Sequence, residues 1–198
     1  MFLNISKLKS YLKKVYKGVA GIGMEHSEDG VLVVQAGRLY IEADLQKATK
    51  EFKAALIEIC GEIPQAGVAR EYNEDGEQET IPDAYNMHIM QHDYMQGKPF
   101  AISDIRIDGN LLFQSPMDYE ILMIKEKLVD IYAPQKVEEH ESSPKDWNYF
   151  DDLLVCGNGN MILAYKLTDP DNEYHLMDIL KALHSVYIIN DKMAGDKI

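Results

Sequence analysis

Two stretches of this chain read as copies of one another, and that narrows the architectures open to it more than any other feature. Residues 29–60 contain D-G-V-L-V-V-Q-A-G-R-L-Y-I-E-A-D-L followed by T-K-E-F-K-A-A-L-I-E-I-C. Residues 151–183 contain D-D-L-L-V-C-G-N-G-N-M-I-L-A-Y-K-L followed by N-E-Y-H-L-M-D-I-L-K-A-L. Laid side by side without a gap, Gly37 meets Gly159, Leu32 meets Leu154, Val33 meets Val155, and Leu45 meets Leu167. Glu51 then meets Glu173, and Phe52 meets Tyr174. Each copy reads as a tight hairpin that feeds an amphipathic helix. A repeated unit leaves few folds to consider. Identity between the copies is low, so chance likeness of two ββα units is the competing explanation.

A length of 198 residues suits one or two domains, and an apolar content of 46% excludes wholesale disorder. No stretch approaches the roughly 20 apolar residues of a membrane span, and the N-terminus does not read as a signal peptide. Cys60 and Cys156 stand alone, outside any C-x-x-C pair, which fits a reducing, cytoplasmic setting. The net charge of −13 argues against a protein that simply coats nucleic acid. That charge is segregated, however. Residues 1–24 carry Lys7, Lys9, Lys13, Lys14 and Lys17 and no acid, whereas residues 71–83 carry six acids and no base. An acidic exterior with one basic surface steers a polyanion to that surface. The plainer reading is an acidic protein with one solvated basic helix.

Helical spacing of Ile5, Leu8, Tyr11, Leu12 and Val15 predicts a first helix over 6–17, capped by Ser6, with all five lysines off the apolar stripe. Strands are expected at 22–26, 31–34 and 38–44, and a second helix over 49–60 that ends at Gly61 and Pro64. Residues 65–99 read least clearly, with a possible strand at 68–72 and an acidic loop at 73–79. Strands at 100–107 and 111–114 follow. Ser115, Pro116 and Asp118 then look like the start of a third helix running through Ile121, Ile124, Leu128 and Ile131 to Pro134. A second hairpin at 153–155 and 161–167, a fourth helix up to about 184 and a last strand at 185–189 complete the chain. The expected fold is α+β: two similar modules, 1–105 and 106–198, each with β-hairpins and antiparallel sheet and with amphipathic helices on one face.

Few residues suggest chemistry. His88, His92 and Asp93 in M-H-I-M-Q-H-D-Y-M are the best metal candidates, since His88 and His92 would share a helix face. H-E-x-x-H is absent, and a Met- and Tyr-rich contact surface explains the segment better. Asp151-Asp152 and Asp169-x-Asp171 could hold a cation, but turn and cap duty explains them better. The glycines at 18, 21 and 23 follow a helix and so do not form a phosphate loop. Trp147, the one tryptophan, reads as a loop anchor or a partner contact. No enzyme signature and no cofactor motif emerge.

The start M-F, the basic L-K-K-V of the first helix, the strand pair D-G-V-L-V-V-Q and R-L-Y-I-E-A-D-L, and F-K-A-A-L-I-E-I-C-G-E-I-P together resemble the first module of a DNA sliding clamp. L-L-V-C-G-N-G-N-M-I-L-A-Y-K-L and H-L-M-D-I-L-K-A-L resemble a later clamp module, though the turn G-N-G-N departs from the D-G-x-R of clamps. The resemblance lies in element order and apolar spacing. It implies a non-enzymatic ring around double-stranded DNA that tethers a polymerase or other replication protein through sequence-independent phosphate contacts. The DNA-facing residues it implies are Lys7, Lys9, Lys13, Lys14, Lys17, Lys50, Lys53, Lys125, Lys127 and Lys181. It also implies a homo-oligomer, about three chains to a ring, and a partner groove for which Met90, Met95, Phe100, Ile102 and Leu112 are the candidates. Two other functions compete. One is an acidic protein-interaction module, such as a phage or mobile-element accessory protein, without a nucleic-acid role. The other is a metal-dependent enzyme using His88 and His92.

Overall fold

A computed structural model describes residues 2–81, 83–134, 144, 146–168 and 174–189. In chain order the elements are α1 (Ile5–Tyr16), β1 (Ile22–His26), β2 (Val31–Ala36), β3 (Leu39–Asp44), α2 (Lys50–Cys60), β4 (Val68–Asn73) and β5 (Gly76–Thr80). There follow β6 (Lys98–Ile107), β7 (Asn110–Gln114), β8 (Ile121–Lys125), the short α3 (Glu126–Val129), β9 (Trp147–Phe150), β10 (Leu153–Gly157), β11 (Met161–Lys166) and α4 (Tyr174–Leu183). The protein is α+β, with few helices and one large antiparallel sheet. Among the described residues that sheet has 11 strands in the order β5-β4-β1-β2-β3-β11-β10-β9-β6-β7-β8.

The two copies meet at the centre. In β2–β3, Val33 pairs with Glu42; in β10–β11 their counterparts Val155 and Ala164 pair in the same way. Both hairpins turn over a glycine at positive φ, Gly37 and Gly159, where other residues are strained. β3 then pairs with β11 so that Ile41 lies opposite Leu163, its own counterpart in the overlay. The gap-free alignment is therefore matched by strand register, with a local two-fold relation at that pair. The third strands break the match. β9 turns into β10 through Asp151 and Asp152 alone, both at positive φ, whereas β1 reaches β2 through a longer loop. Asn148 consequently pairs with Val155, the place that Trp147 would take by the overlay with Glu25. A slip of one residue reverses the faces of a strand. Trp147 therefore turns into the core, and Asn148 takes the side that Glu25 takes in the first copy.

Alternation divides the apolar side chains between the two faces. Leu32, Val34, Ile41, Leu154 and Leu163 point to the first face, where Leu8 and Leu12 of α1, Phe52 and Leu56 of α2 and Leu128 of α3 cover them. Trp147 packs there among Phe113, Tyr132 and Tyr165, stacked on the last at 5.3 Å. Val33, Tyr40, Val155, Ile162 and Ala164 point to the second face. That face is covered by residues 83–97, a strap that crosses the central strands on its way from β5 to β6 and contributes Ile89 and Tyr94. The strap is fastened by buried polar groups. Glu25 is 3% exposed and accepts from the backbone N–H of Asp83 (3.0 Å) and Tyr85 (3.2 Å). Glu42 is 1% exposed and accepts from the N–H of Ile89 (2.8 Å) and Met90 (2.6 Å) and from the Tyr40 hydroxyl (2.5 Å). A Cβ on Gly23 would come within 2.4 Å of the Tyr85 ring, so the absent side chain is what lets that ring lie on the sheet.

Several sequence expectations are corrected here. The third helix over 115–134 does not form: Ser115 and Glu120 close a turn, 121–125 is a strand, and α3 keeps only four residues. Ile121–Ile124 is a continuous apolar run, buried on both sides, whose periodicity cannot separate strand from helix. Leu122 and Ile124 face the first core, while Met123 faces α4. The acidic loop at 73–79 is in large part the edge strand β5. Asn4, not Ser6, caps α1, its side chain accepting from the N–H of Lys7 at 3.3 Å. Trp147 lies on a strand rather than in a loop. Of the last expected strand only an isolated bridge, Ser103 with Ile189, is formed. The helices do not all share a face either. α4 lays Leu176, Leu180 and Leu183 on Leu112 and Met123, the side of β7–β8 away from α3. Asp169 and Asp171 lie outside the described residues.

Candidate nucleic-acid interface

The basic surface is built by α1 and α2, side by side on the first face. The stripe containing Leu8 and Leu12 seats α1 on the sheet and leaves its lysines outward. Tyr11 fixes the helix to the first hairpin. Its hydroxyl donates to the Ala36 carbonyl at 3.1 Å and accepts from the Arg38 N–H at 3.3 Å. Burial pushes the phenol upward from its ordinary value, while the Arg38 N–H and charge pull it the other way. α2 starts at Thr49, whose hydroxyl accepts from the Phe52 N–H at 3.3 Å, and places Lys50 and Lys53 at its first turn.

The structure brings Lys7, Lys9, Lys13, Lys14, Lys17, Lys50 and Lys53 onto this helical layer, with Lys127 of α3 on the same side of the sheet. Lys125 ends β8 and is half-buried. Lys181 is not part of the surface, because α4 lies on the opposite side of the sheet. Several of the lysines are already engaged. Lys9 and Lys13 both donate to Glu58 of α2, at 2.5 and 2.9 Å. Lys7 donates to Asp130 at the end of α3 at 3.2 Å, and Lys53 to the Leu45 carbonyl at 3.1 Å. Lys14, Lys17 and Lys50 make no ion pair among the described residues. Hydrogen bonds from Lys9 and Lys13, with their charge, hold the Glu58 carboxyl down to about 2. Sequence reasoning missed Glu58 and Asp130 as neighbours of these lysines. Glu58 could be placed beside the apolar stripe of its helix, but the helix it faces is chosen by tertiary packing.

The proposed partner groove does not assemble. Leu112 and Phe100 are interior residues of two different clusters, Ile102 packs against the cluster that holds Phe100, and Met90 belongs to the strap and packs against the second-face cluster. Met95 alone is well exposed, with its sulfur 3.6 Å from Asn148 Nδ2. Apolar side chains are exposed elsewhere: Met117, Tyr119, Val186 and Tyr187 lie around Gln114, which donates to the carbonyls of Val186 and Tyr119. The rings of Tyr119 and Tyr187 meet edge-on at 6.2 Å.

The histidines do not form the face expected of a helix. His88 is left-handed (φ 53°), and its Nε2 lies 3.7 Å from Asp83. His92 turns its ring to Phe150 at 6.1 Å, and Asp93 accepts from Gln96 Nε2 at 2.7 Å. Among the described residues no group of three or more His, Cys, Asp or Glu is placed to share a metal ion. A cleft of about 430 Å³ on the strap side is bordered by Glu25, Glu28, Asp29, Asp83 and His88, and its acidity disfavours a phosphate. No described helix is long and apolar enough to cross a membrane.

No protein-family model matches the sequence, and no curated protein matches it significantly. Solved structures with a similar course of chain include a DNA polymerase sliding clamp from Bacillus subtilis, at 10% identity and a TM-score of 0.35, covering 84% of this chain and 64% of that one. A putative DNA polymerase III beta subunit from Eubacterium rectale matches at 11% identity and a TM-score of 0.32, over 87% of this chain and 67% of that one. A DNA polymerase III beta chain from Streptococcus pneumoniae matches at 7% identity and a TM-score of 0.34, over 86% and 66%. The match thus spans less than two thirds of the Bacillus clamp. Likeness at this level does not decide function, which rests on the side chains described above.

Proposed function

We propose that this chain is a clamp-like, non-enzymatic DNA-tethering protein whose α1–α2 face rests on the phosphate backbone of double-stranded DNA. The observation that carries this reading is the pairing of α1, with its lysines outward, and α2, whose first turn adds the exposed Lys50, on a protein whose net charge is −13. Such a surface attracts a polyanion and orients it without reading bases. Binding is then sequence-independent and falls steeply with salt. The sheet ends at β5 on one side and β8 on the other. Pairing of these edges between copies supports a homo-oligomer, with three chains of two similar halves closing around a duplex and holding a polymerase or another DNA enzyme there.

Light scattering on a sizing column, together with retention on nicked circular DNA before and after linearisation, tests this reading. A ring is oligomeric and slides off linear ends. Lys13→Glu with Lys14→Glu weakens retention, and a monomer that ignores circular DNA at low salt sinks the proposal. That second result would favour an acidic protein-interaction module, a reading supported by the exposed Met117, Tyr119, Val186 and Tyr187.

A further inference from the structure

We infer that Glu58 is an internal stand-in for a DNA phosphate, occupying the Lys9–Lys13 pair at rest and setting how tightly the α1 face holds a polyanion. This inference rests on the DNA reading proposed above and concerns the regulation of the same surface. Lys9 and Lys13 are one helical turn apart and converge on the two oxygens of a single carboxylate, Oε2 at 2.5 Å and Oε1 at 2.9 Å. Two ammonium groups from one turn of helix gathered on one anion is the arrangement by which lysines hold a phosphate. The carboxylate comes from a different element, α2, so it is not a by-product of helix-internal spacing. The other side of α1 is treated alike, since Asp130, following α3, takes Lys7 at 3.2 Å. The lysine ridge is thus flanked on both sides by carboxylates from neighbouring helices.

The energetics favour exchange. Lys9 and Lys13 are 32% and 54% exposed, and Glu58 is 45% exposed, so the pairs are solvated and cheap to break. A phosphate can reach the two ammonium groups as Glu58 rotates into water. The exchange leaves the protein with weaker net attraction for DNA than five lysines alone would give. A weak, salt-sensitive contact of this kind allows a duplex to move along the surface rather than lock onto it.

The test is a mutant cycle on the full-length protein with a random-sequence DNA duplex across 50–200 mM salt. Glu58→Gln keeps the shape and removes the charge; Lys9→Gln with Lys13→Gln removes the pair, alone and combined with Glu58→Gln. The expected result is tighter binding by Glu58→Gln, with a log K against log salt slope steeper by about 0.9, one unit of charge. That gain disappears in the background without Lys9 and Lys13. A gain of equal size in both backgrounds overturns the inference, because Glu58 then acts only through overall charge. Binding by the unaltered protein that Glu58→Gln leaves unchanged overturns the inference and leaves the DNA reading standing. No binding by any variant at 50 mM salt overturns both.

Discussion

Single carboxylates carry unlike duties in this molecule, and exposure separates them. Glu58 lies in water, and the lysines beside it depress its folded-state pKa to about 2 from an ordinary 4.5. A depressed carboxyl contributes stability above its unfolded value and loses it as pH falls from about 4.5 through about 2. The loss is small because the pairs are solvated. Carbon-detected NMR titration should place the Glu58 midpoint near 2, moving toward 4.5 when Lys9 and Lys13 are both replaced by Gln. Glu42, by contrast, is buried and satisfies two backbone N–H groups of the strap. Glu42→Ala strands both donors and is expected to cost about 2–5 kcal/mol in urea unfolding. Hydrogen exchange should rise first at Ile89 and Met90. Thiols provide a check on the interior: burial pushes Cys60 up to about 12 and raises Cys156 as well. Iodoacetamide at pH 8 should leave both largely unmodified in the native protein and label both in urea.

Among the elements, those with strong local signals are where the sequence placed them. α1 and α2 have an apolar stripe and a side-chain cap, and β2 and β3 are short apolar-rich runs joined by a glycine turn, with apolar and polar residues alternating along β3. Ile121, Ile124 and Leu128 recur at helical spacing, yet the run forms β8 and buries both sides when it pairs with β7. The acidic composition of β5 suggests a loop, yet charged and exposed residues are also what protects a sheet edge. The strap has no periodicity to read. Its position can be tested through Gly23, since Gly23→Ala pushes a Cβ against the Tyr85 ring. The expected cost is about 1–3 kcal/mol by denaturant unfolding, and most of it should vanish in a Tyr85→Ala background. An equal cost in both backgrounds would mean that the strap does not lie on β1.

On the scale of the whole molecule, one sheet runs through both copies, and the first-face core draws on residues from Phe2 to Tyr165. β3 pairs with β11, so cutting the chain near residue 105 removes a neighbour from the centre of the sheet rather than from its rim. Two-state unfolding is therefore expected. Trp147, the single tryptophan, reports the second copy by fluorescence, while far-UV circular dichroism reports both. The two transitions should coincide in urea, and a fragment of residues 1–105 should not give a cooperative transition. Separate midpoints would mean that the halves fold independently despite the shared strand pair.

The sequence by itself determined the hairpins, their glycine turns, the two lysine-bearing helices and the correspondence between the copies. Each depends on residues within one or two turns of one another, where φ preference and side-chain period act directly. Only the tertiary structure decided that 121–125 is a strand, that Trp147 turns inward, that α4 leaves the lysine face and that Glu58 sits between Lys9 and Lys13. Each of these depends on a partner far along the chain. A one-residue change in turn length or the choice of a neighbouring strand reverses which face a side chain meets, while the local pattern stays the same.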